Sequence, residues 1–262
     1  MSGNSRRIVV QERDRHLLRE LSVMRVADRE QAKTVAGFGS TTRVNARLLA
    51  LTRAGLLRRF FVGTGGTKAK AIYAHTAKGA ALAGVPYRGP RRRPDEQVTA
   101  DLFVEHQLAT NDVYCGVKFP KPPVRFAQFR RWHTFYEPIA PGLRLIPDGY
   151  FELETASGTL AAFLEVDLGN EPLGVWREKV KKYLQLAVSG EFKRRFGQNQ
   201  FRVLVVALSE RRMKSIRQTV AAITPKIFWF ATREAIQRKT LFAPIWYRPT
   251  TDNPEPLIEE LR

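Results

Sequence analysis

Cysteine occurs once in this chain, at Cys115, and histidine only four times. A single cysteine excludes an internal disulfide and a cysteine-rich zinc site, and it suits a reducing compartment. Long apolar runs are missing too. No stretch approaches the ~20 residues that span a bilayer. Residues 1–7 are polar, and the apolar stretch after them is only Ile8-Val9-Val10. Neither a membrane span nor a secretory leader is expected, and the chain reads as a soluble, cytoplasmic protein without a membrane partner. Acidic residues are the remaining shortage: 25 Asp and Glu stand against 44 Lys and Arg, a net charge of +19.

What is present bounds the answer further. The 262 residues are 44% hydrophobic, enough for a core in one large or two modest domains. The positive charge is unevenly spread. Residues 1–95 hold 20 Lys and Arg against 6 Asp and Glu, whereas residues 96–262 hold 24 against 19. A polyanion, duplex DNA first, is the expected partner, and it is expected at the N-terminal end.

The N-terminal pattern agrees. Leu17, Leu18, Leu21 and Met24 share one helical stripe over residues 13–24. Residues 28–36 make a second helix with Asp28 as its cap. After Gly37-Phe38-Gly39, Ser40 opens a third helix with Val44, Leu48, Leu49 and Leu51 on its apolar face, closed by Gly55. Two strands, 56–62 and 71–75, flank Gly63-Thr64-Gly65-Gly66, and Thr76 caps a further helix. Three helices and a hairpin in this order predict a winged helix-turn-helix over residues 1–85. Ser40, Thr41, Thr42, Arg43, Asn45 and Arg47 would face a major groove, where Arg reads guanine, Asn reads adenine and hydroxyls hold phosphates. Lys68 and Lys70 would reach the backbone from the wing. Residues 86–95 form a Pro- and Arg-rich linker whose Arg91, Arg92 and Arg93 add phosphate contacts.

Residues 96–262 read as a second, α/β domain with a mixed sheet. A helix is expected over 96–117, with strands over 126–136, 145–153, 160–166, 201–207 and 227–231 and helices over 176–186 and 215–222. Asp148 follows Pro147, and Glu165 and Asp167 end the strand FLEVD. Residues two apart on a strand share a face. Asp148, Glu165 and Asp167 are therefore expected to converge as a hard oxygen site for Mg²⁺ or Mn²⁺, able to activate water against a phosphodiester. As an ordinary strand end, the same residues would be caps or solvated edges.

This spacing resembles the restriction-endonuclease-like nuclease core, Pro-Asp, a gap, then Asp/Glu-x-Lys. Pro147-Asp148 and Glu165 match, but position 167 is Asp where that pattern has lysine. Lys179 or Lys182, with Lys181 beside them, would have to supply the amine from the following helix. More broadly, the chain resembles the plasmid replication-relaxation family over residues 13–231. The matching pieces are RHLLRELSVMR, TRVNARLLALTRAGLLRR, IYAHTAKGAALA, HQLATNDVY, PDGYFEL, FLEVDLGNE, REKVKKY and FRVLVVALSERRMKSIRQ. The resemblance implies a DNA-acting protein of a plasmid or other mobile element, with a restriction-endonuclease-like second domain that either nicks DNA with a metal or is degenerate. A homodimer and replication or mobilisation proteins are further expected partners.

Other residues read more plainly. Glu105 is a solvated or helix-pairing charge, or a fourth carboxylate of the acidic site. His16, His75 and His133 lack metal-ligand spacing, and Cys115 reads as a small buried hydrophobe. Tyr114, Tyr136 and Tyr150 lack the histidine cluster of a transesterifying site. Gly63-Thr64-Gly65-Gly66 lacks the Gly-Lys-Ser/Thr ending of a phosphate loop, so no nucleotide cofactor is expected. Lys193, Arg194 and Arg195, like Arg211, Arg212, Lys214 and Arg217, read as solvated faces or as extensions of a DNA track. The competing functional reading is a winged-helix regulator or replication-initiation accessory without enzymatic activity.

Overall fold

The computed structural model describes residues 8–64, 67–89, 97–98 and 101–259. It is a mixed α/β chain that divides into two compact units, Met1–Asn111 and Asp112–Arg262.

The first unit opens with α1 (Glu12–Met24), whose Leu17, Leu18, Leu21 and Met24 are buried as their spacing requires. A two-residue strand, β1 (Ala27–Asp28), leads into α2 (Arg29–Val35). The Asp28 carboxylate caps α2 by accepting the Gln31 N–H at 2.9 Å. Next come α3 (Thr41–Arg53), β2 (Leu57–Thr64), β3 (Thr67–His75) and α4 (Ala77–Ala83). On α3, Val44, Leu48 and Leu51 are buried, but Leu49 is exposed. A buried stripe spaced 4 and 3 leaves Leu49 on its far side. The strands β2 and β3 pair antiparallel, and the sheet order is β1-β3-β2-β4, with β4 being Gln97–Val98.

Residues 86–95, expected as a linker, lie mostly outside the described residues, and the division between units falls later, inside α5 (Leu102–Lys118). The physical reason is packing. Val104 and Leu108 share a buried cluster with Val26, Phe60, Val62 and Ile72. Asn111 donates to the carbonyls of Met24 and Val26 at 3.1 and 2.7 Å.

The second unit holds β5 (Ala127–His133), β6 (Gly149–Thr155), β7 (Gly158–Asp167), α6 (Leu173–Val188), α7 (Glu191–Phe196), β8 (Arg202–Ala207), α8 (Glu210–Ala221), β9 (Phe228–Thr232) and α9 (Arg233–Arg238). Its sheet runs β5-β6-β7-β8-β9. The β5-β6-β7 pairs are antiparallel, while β7-β8-β9 are parallel. Parallel strands covered on both faces are apolar throughout, which is why Val203, Leu204, Val205 and Val206 are all buried. Trp176, Val180 and Tyr183 of α6 recur at helical spacing and pack on the sheet with Phe163, Phe201 and Phe228. The short helices α7 and α9 were not expected. Among the described residues, no helix is long and apolar enough to cross a membrane.

Candidate functional site

On the first unit, α3 presents Thr42, Arg43 and Asn45 to solvent, while Ser40 and Thr41 are half-buried. Ser40 occupies the cap position with extended backbone but makes no side-chain cap. The Thr41 hydroxyl lies 3.4 Å from the Lys33 ammonium. Arg47 does not join this exposed group. Its Nε donates to Asp14 at 2.8 Å, a second nitrogen closes the pair, and the same guanidinium reaches the Val9 carbonyl. Asp14 is 1% exposed and also accepts the Gln11 N–H at 2.6 Å. Arg47 thus serves the α1–α3 packing. On the hairpin, half-exposed Lys70 sits 2.5 Å from Asp28. The side chain of Lys68 and the whole of Arg91, Arg92 and Arg93 lie outside the described residues.

On the second unit, Glu165 and Asp167 do lie on the same face of β7, and α6 covers them. Both are 1% exposed. Asp148 approaches from the start of β6, where its Oδ2 accepts the Val166 N–H at 2.7 Å. Glu165 accepts from the Tyr183 hydroxyl at 2.6 Å and from Lys179 Nζ at 2.8 Å. Lys179 divides itself between Glu165 and Glu171, each 2.8 Å away. Burial pushes the Glu165 carboxyl up to about 7, aided by the Asp148 charge and opposed by Lys179. Burial works to lower Lys179, but its proximity to Glu165 and Glu171 outweighs that and raises it above the ordinary lysine value.

Asp167 is held quite differently. Arg212 binds it with two parallel bonds of 2.7 Å, Trp176 Nε1 donates at 2.8 Å, and the Gly169 N–H at 2.7 Å. Burial opposes its ionisation, but these donors outweigh burial and hold it below the usual carboxylate range. Each Asp167 oxygen therefore already accepts two hydrogen bonds. A carboxylate so saturated has no lone pair left for a cation. Among the described residues, no group of three or more His, Cys, Asp or Glu is arranged to hold a metal. The expected Mg²⁺ or Mn²⁺ triad of Asp148, Glu165 and Asp167 does not fit this geometry: Asp167 is saturated by Arg212, Trp176 and Gly169, Glu165 is held by Lys179 and Tyr183, and Asp148 accepts the Val166 N–H.

The candidate lysines separate cleanly. Lys179 reaches the acidic pair, whereas Lys182 donates to the Arg144 carbonyl at 2.8 Å and Lys181 pairs with Glu178. A cleft of about 490 Å³, lined by Arg144, Ile146, Gly174, Lys179 and Lys182 among others, opens beside Lys179. Arg212, Tyr183 and Trp176 escaped the sequence reading as members of this cluster. Trp176 and Tyr183 show in sequence only as a buried helical stripe, and Arg212 only as one basic residue among several on α8. Of the remaining residues, Glu105, read as a solvated or helix-pairing charge or a fourth carboxylate, lies in the first turn of α5, and Cys115 and Tyr150 are buried.

Compared with known families, residues 18–200 match the one described as replication-relaxation. Comparison with curated proteins and with solved structures finds no match.

Proposed function

Since the chain belongs to the replication-relaxation family, we propose that it is a duplex-DNA-binding protein acting in the replication of a plasmid or other mobile element. In this reading the first unit is a winged helix. The exposed N-terminal face of α3, with Thr42, Arg43 and Asn45, enters the major groove, and the β2-β3 hairpin runs over the backbone. The observation that carries the reading is that face: a groove-compatible set of polar side chains on a helix held from behind by Arg47 and Asp14. It lies in the third of the chain that holds most of the net charge.

The second unit keeps the Pro-Asp, Glu and lysine constellation of a nuclease-like core in Asp148, Glu165 and Lys179. With Lys179 and Arg212 neutralising the carboxylates from inside, this unit acts as a platform that does not cut. The test is supercoiled plasmid incubated with the full chain in Mg²⁺, Mn²⁺ or chelator, read on a gel beside Arg43→Ala and Asp148→Ala. The expected result is retarded, uncut plasmid in all three conditions, with affinity about tenfold lower for Arg43→Ala, the cost of one lost base contact of ~1–3 kcal/mol. Metal-dependent nicking that Asp148→Ala abolishes would overturn the platform reading. Unretarded plasmid at low salt would overturn the DNA-binding one.

A further inference from the structure

The second unit carries a cationic surface that neither α3 nor the acidic cluster uses. β5 is an edge strand, paired on one side with β6. Its register breaks between Phe129 and Arg131: Phe129 stands opposite Leu153, and Arg131 opposite Glu152. A bulge at a sheet edge re-aims side chains, and here Arg130, Arg131 and His133 are all exposed. Alongside lies α7, with Lys193, Arg194 and Arg195 exposed. Arg131 ties the two together by donating to the Phe196 carbonyl at 2.9 Å. Arg195 lies over the Phe135 ring at 5.9 Å, and Phe135 touches His133 edge-on at 4.6 Å.

The charge here is not balanced. Among the described residues, the four arginines and one lysine, taken together, make ion pairs with two carboxylates, Glu191 and the 1%-exposed Glu152, and a third, the exposed Glu154, stands opposite Gln128 of β5. Glu152 lies 2.5 Å from Arg131 and 3.7 Å from Arg130, and Glu191 pairs with Arg194. The excess is felt locally: after burial, Arg195 and Arg131 are what hold the His133 imidazole below its ordinary value. On α8, by contrast, two of the three arginines are consumed within the fold, Arg212 by Asp167 and Arg217 by the carbonyls of Arg248 and Pro249, which leaves Arg211 exposed. Two of the β5-α7 guanidiniums are preset. Arg131 is fixed by Glu152 and Phe196, and Arg195 by the Ile139 carbonyl. Planar, fixed arginine forks match phosphate oxygens better than flexible ammoniums do.

We propose that β5 and α7 form a second DNA-backbone contact surface, on the second unit, that grips phosphodiesters without reading bases. It goes beyond the α3 reading and does not depend on it. The test uses the full chain with Arg130→Ala, Lys193→Ala and Arg194→Ala combined, leaving Arg131 and Arg195 in their structural bonds. Affinity for duplex and for single-stranded oligonucleotides is measured against salt. Each phosphate contact contributes ~0.9 to the salt slope on duplex and ~0.7 on single strands. The triple variant is expected to flatten the slope by about 2–3 and weaken binding about tenfold near ~150 mM salt, with one or both probes. The probe that responds identifies the form of DNA held. Arg130→Lys with Arg194→Lys, Lys193 being kept, should retain the wild-type slope, since each position keeps its charge. If the triple variant melts early, Lys193→Glu, at an exposed position, answers the same question with a slope change of about 1 or more. Wild-type slope and affinity with both probes would overturn the proposal. Arg43→Ala, measured in parallel, separates its failure from failure of the α3 reading.

Discussion

Glu165 and Asp167 stand two residues apart on one face of one strand, yet their environments push them in opposite directions. Asp167 has a bidentate arginine, an indole N–H and a backbone N–H. Glu165 shares one lysine with Glu171 and faces Asp148. The sign of their pH effects follows. Asp167, depressed in the fold, adds stability above the unfolded carboxylate range that is lost as pH falls through its folded value. Glu165, raised to about 7 from 4.5, binds protons in the fold that the unfolded chain has released. Its ionisation therefore lowers stability as pH rises across that window, by up to ~3 kcal/mol at 1.36 kcal/mol per unit. Glu165→Gln should be the more stable protein relative to wild type at pH 8 than at pH 5, by about 2–3 kcal/mol in urea unfolding. An identical difference at both pH values would mean that Lys179 fully compensates the buried acid. The same scale explains Arg47. Removing it would strand the buried Asp14, so weakened DNA binding in such a variant would report lost packing as much as a lost contact.

At the scale of elements, helix caps and close approaches set how the first unit closes. Thr76 caps α4 by accepting the Gly79 N–H at 3.0 Å and donates to the Gly55 carbonyl at 2.7 Å. Gly79 lies so near the turn after α3 that a Cβ would come within 2.1 Å of the Leu56 carbonyl oxygen. Alanine would gain about 1 kcal/mol of helix propensity there. The clash, against backbone that Thr76 also binds, costs about 1–3 kcal/mol or more. Gly79→Ala should thus lower the urea midpoint of the full chain despite the better helix former. An unchanged or higher midpoint would show that α4 shifts freely. Elements were legible where spacing alone sets them: α1, α2 and α3 come from stripes and caps, and β7 and β8 from continuous apolar runs. The bulge in β5 was not legible, because strand register is fixed between two strands, here with Arg131 opposite Glu152, and not by any local pattern within one.

On the scale of the whole molecule, charge governs how the chain meets a polyanion. Most of the net +19 lies in residues 1–95, so DNA affinity should fall steeply with salt. A slope of about −5 or steeper on duplex corresponds to some five or six neutralised phosphates. A slope near −1 would sink the electrostatic argument for both proposed surfaces. The family match ends at residue 200, before β8. The strands β8 and β9, which complete the second sheet, and Arg212, which saturates Asp167, all lie beyond it. The residue that binds Asp167 with two parallel hydrogen bonds therefore belongs to the part of the chain that the family match leaves uncovered.

Periodicity, caps and charge are local properties, and they alone determined the mixed α/β class, the order of the main helices and strands, the basic N-terminal third and the pairing of Glu165 with Asp167 on one strand face. Which groups answer those carboxylates was decided only by tertiary structure. Lys179, Tyr183 and Trp176 arrive from α6 and Arg212 from α8, 45 residues after Asp167 in the chain. Arg47 was likewise turned from a groove contact into an internal ion pair by Asp14, 33 residues away. A side chain's partner depends on which elements fold against it, and no spacing along the chain records that.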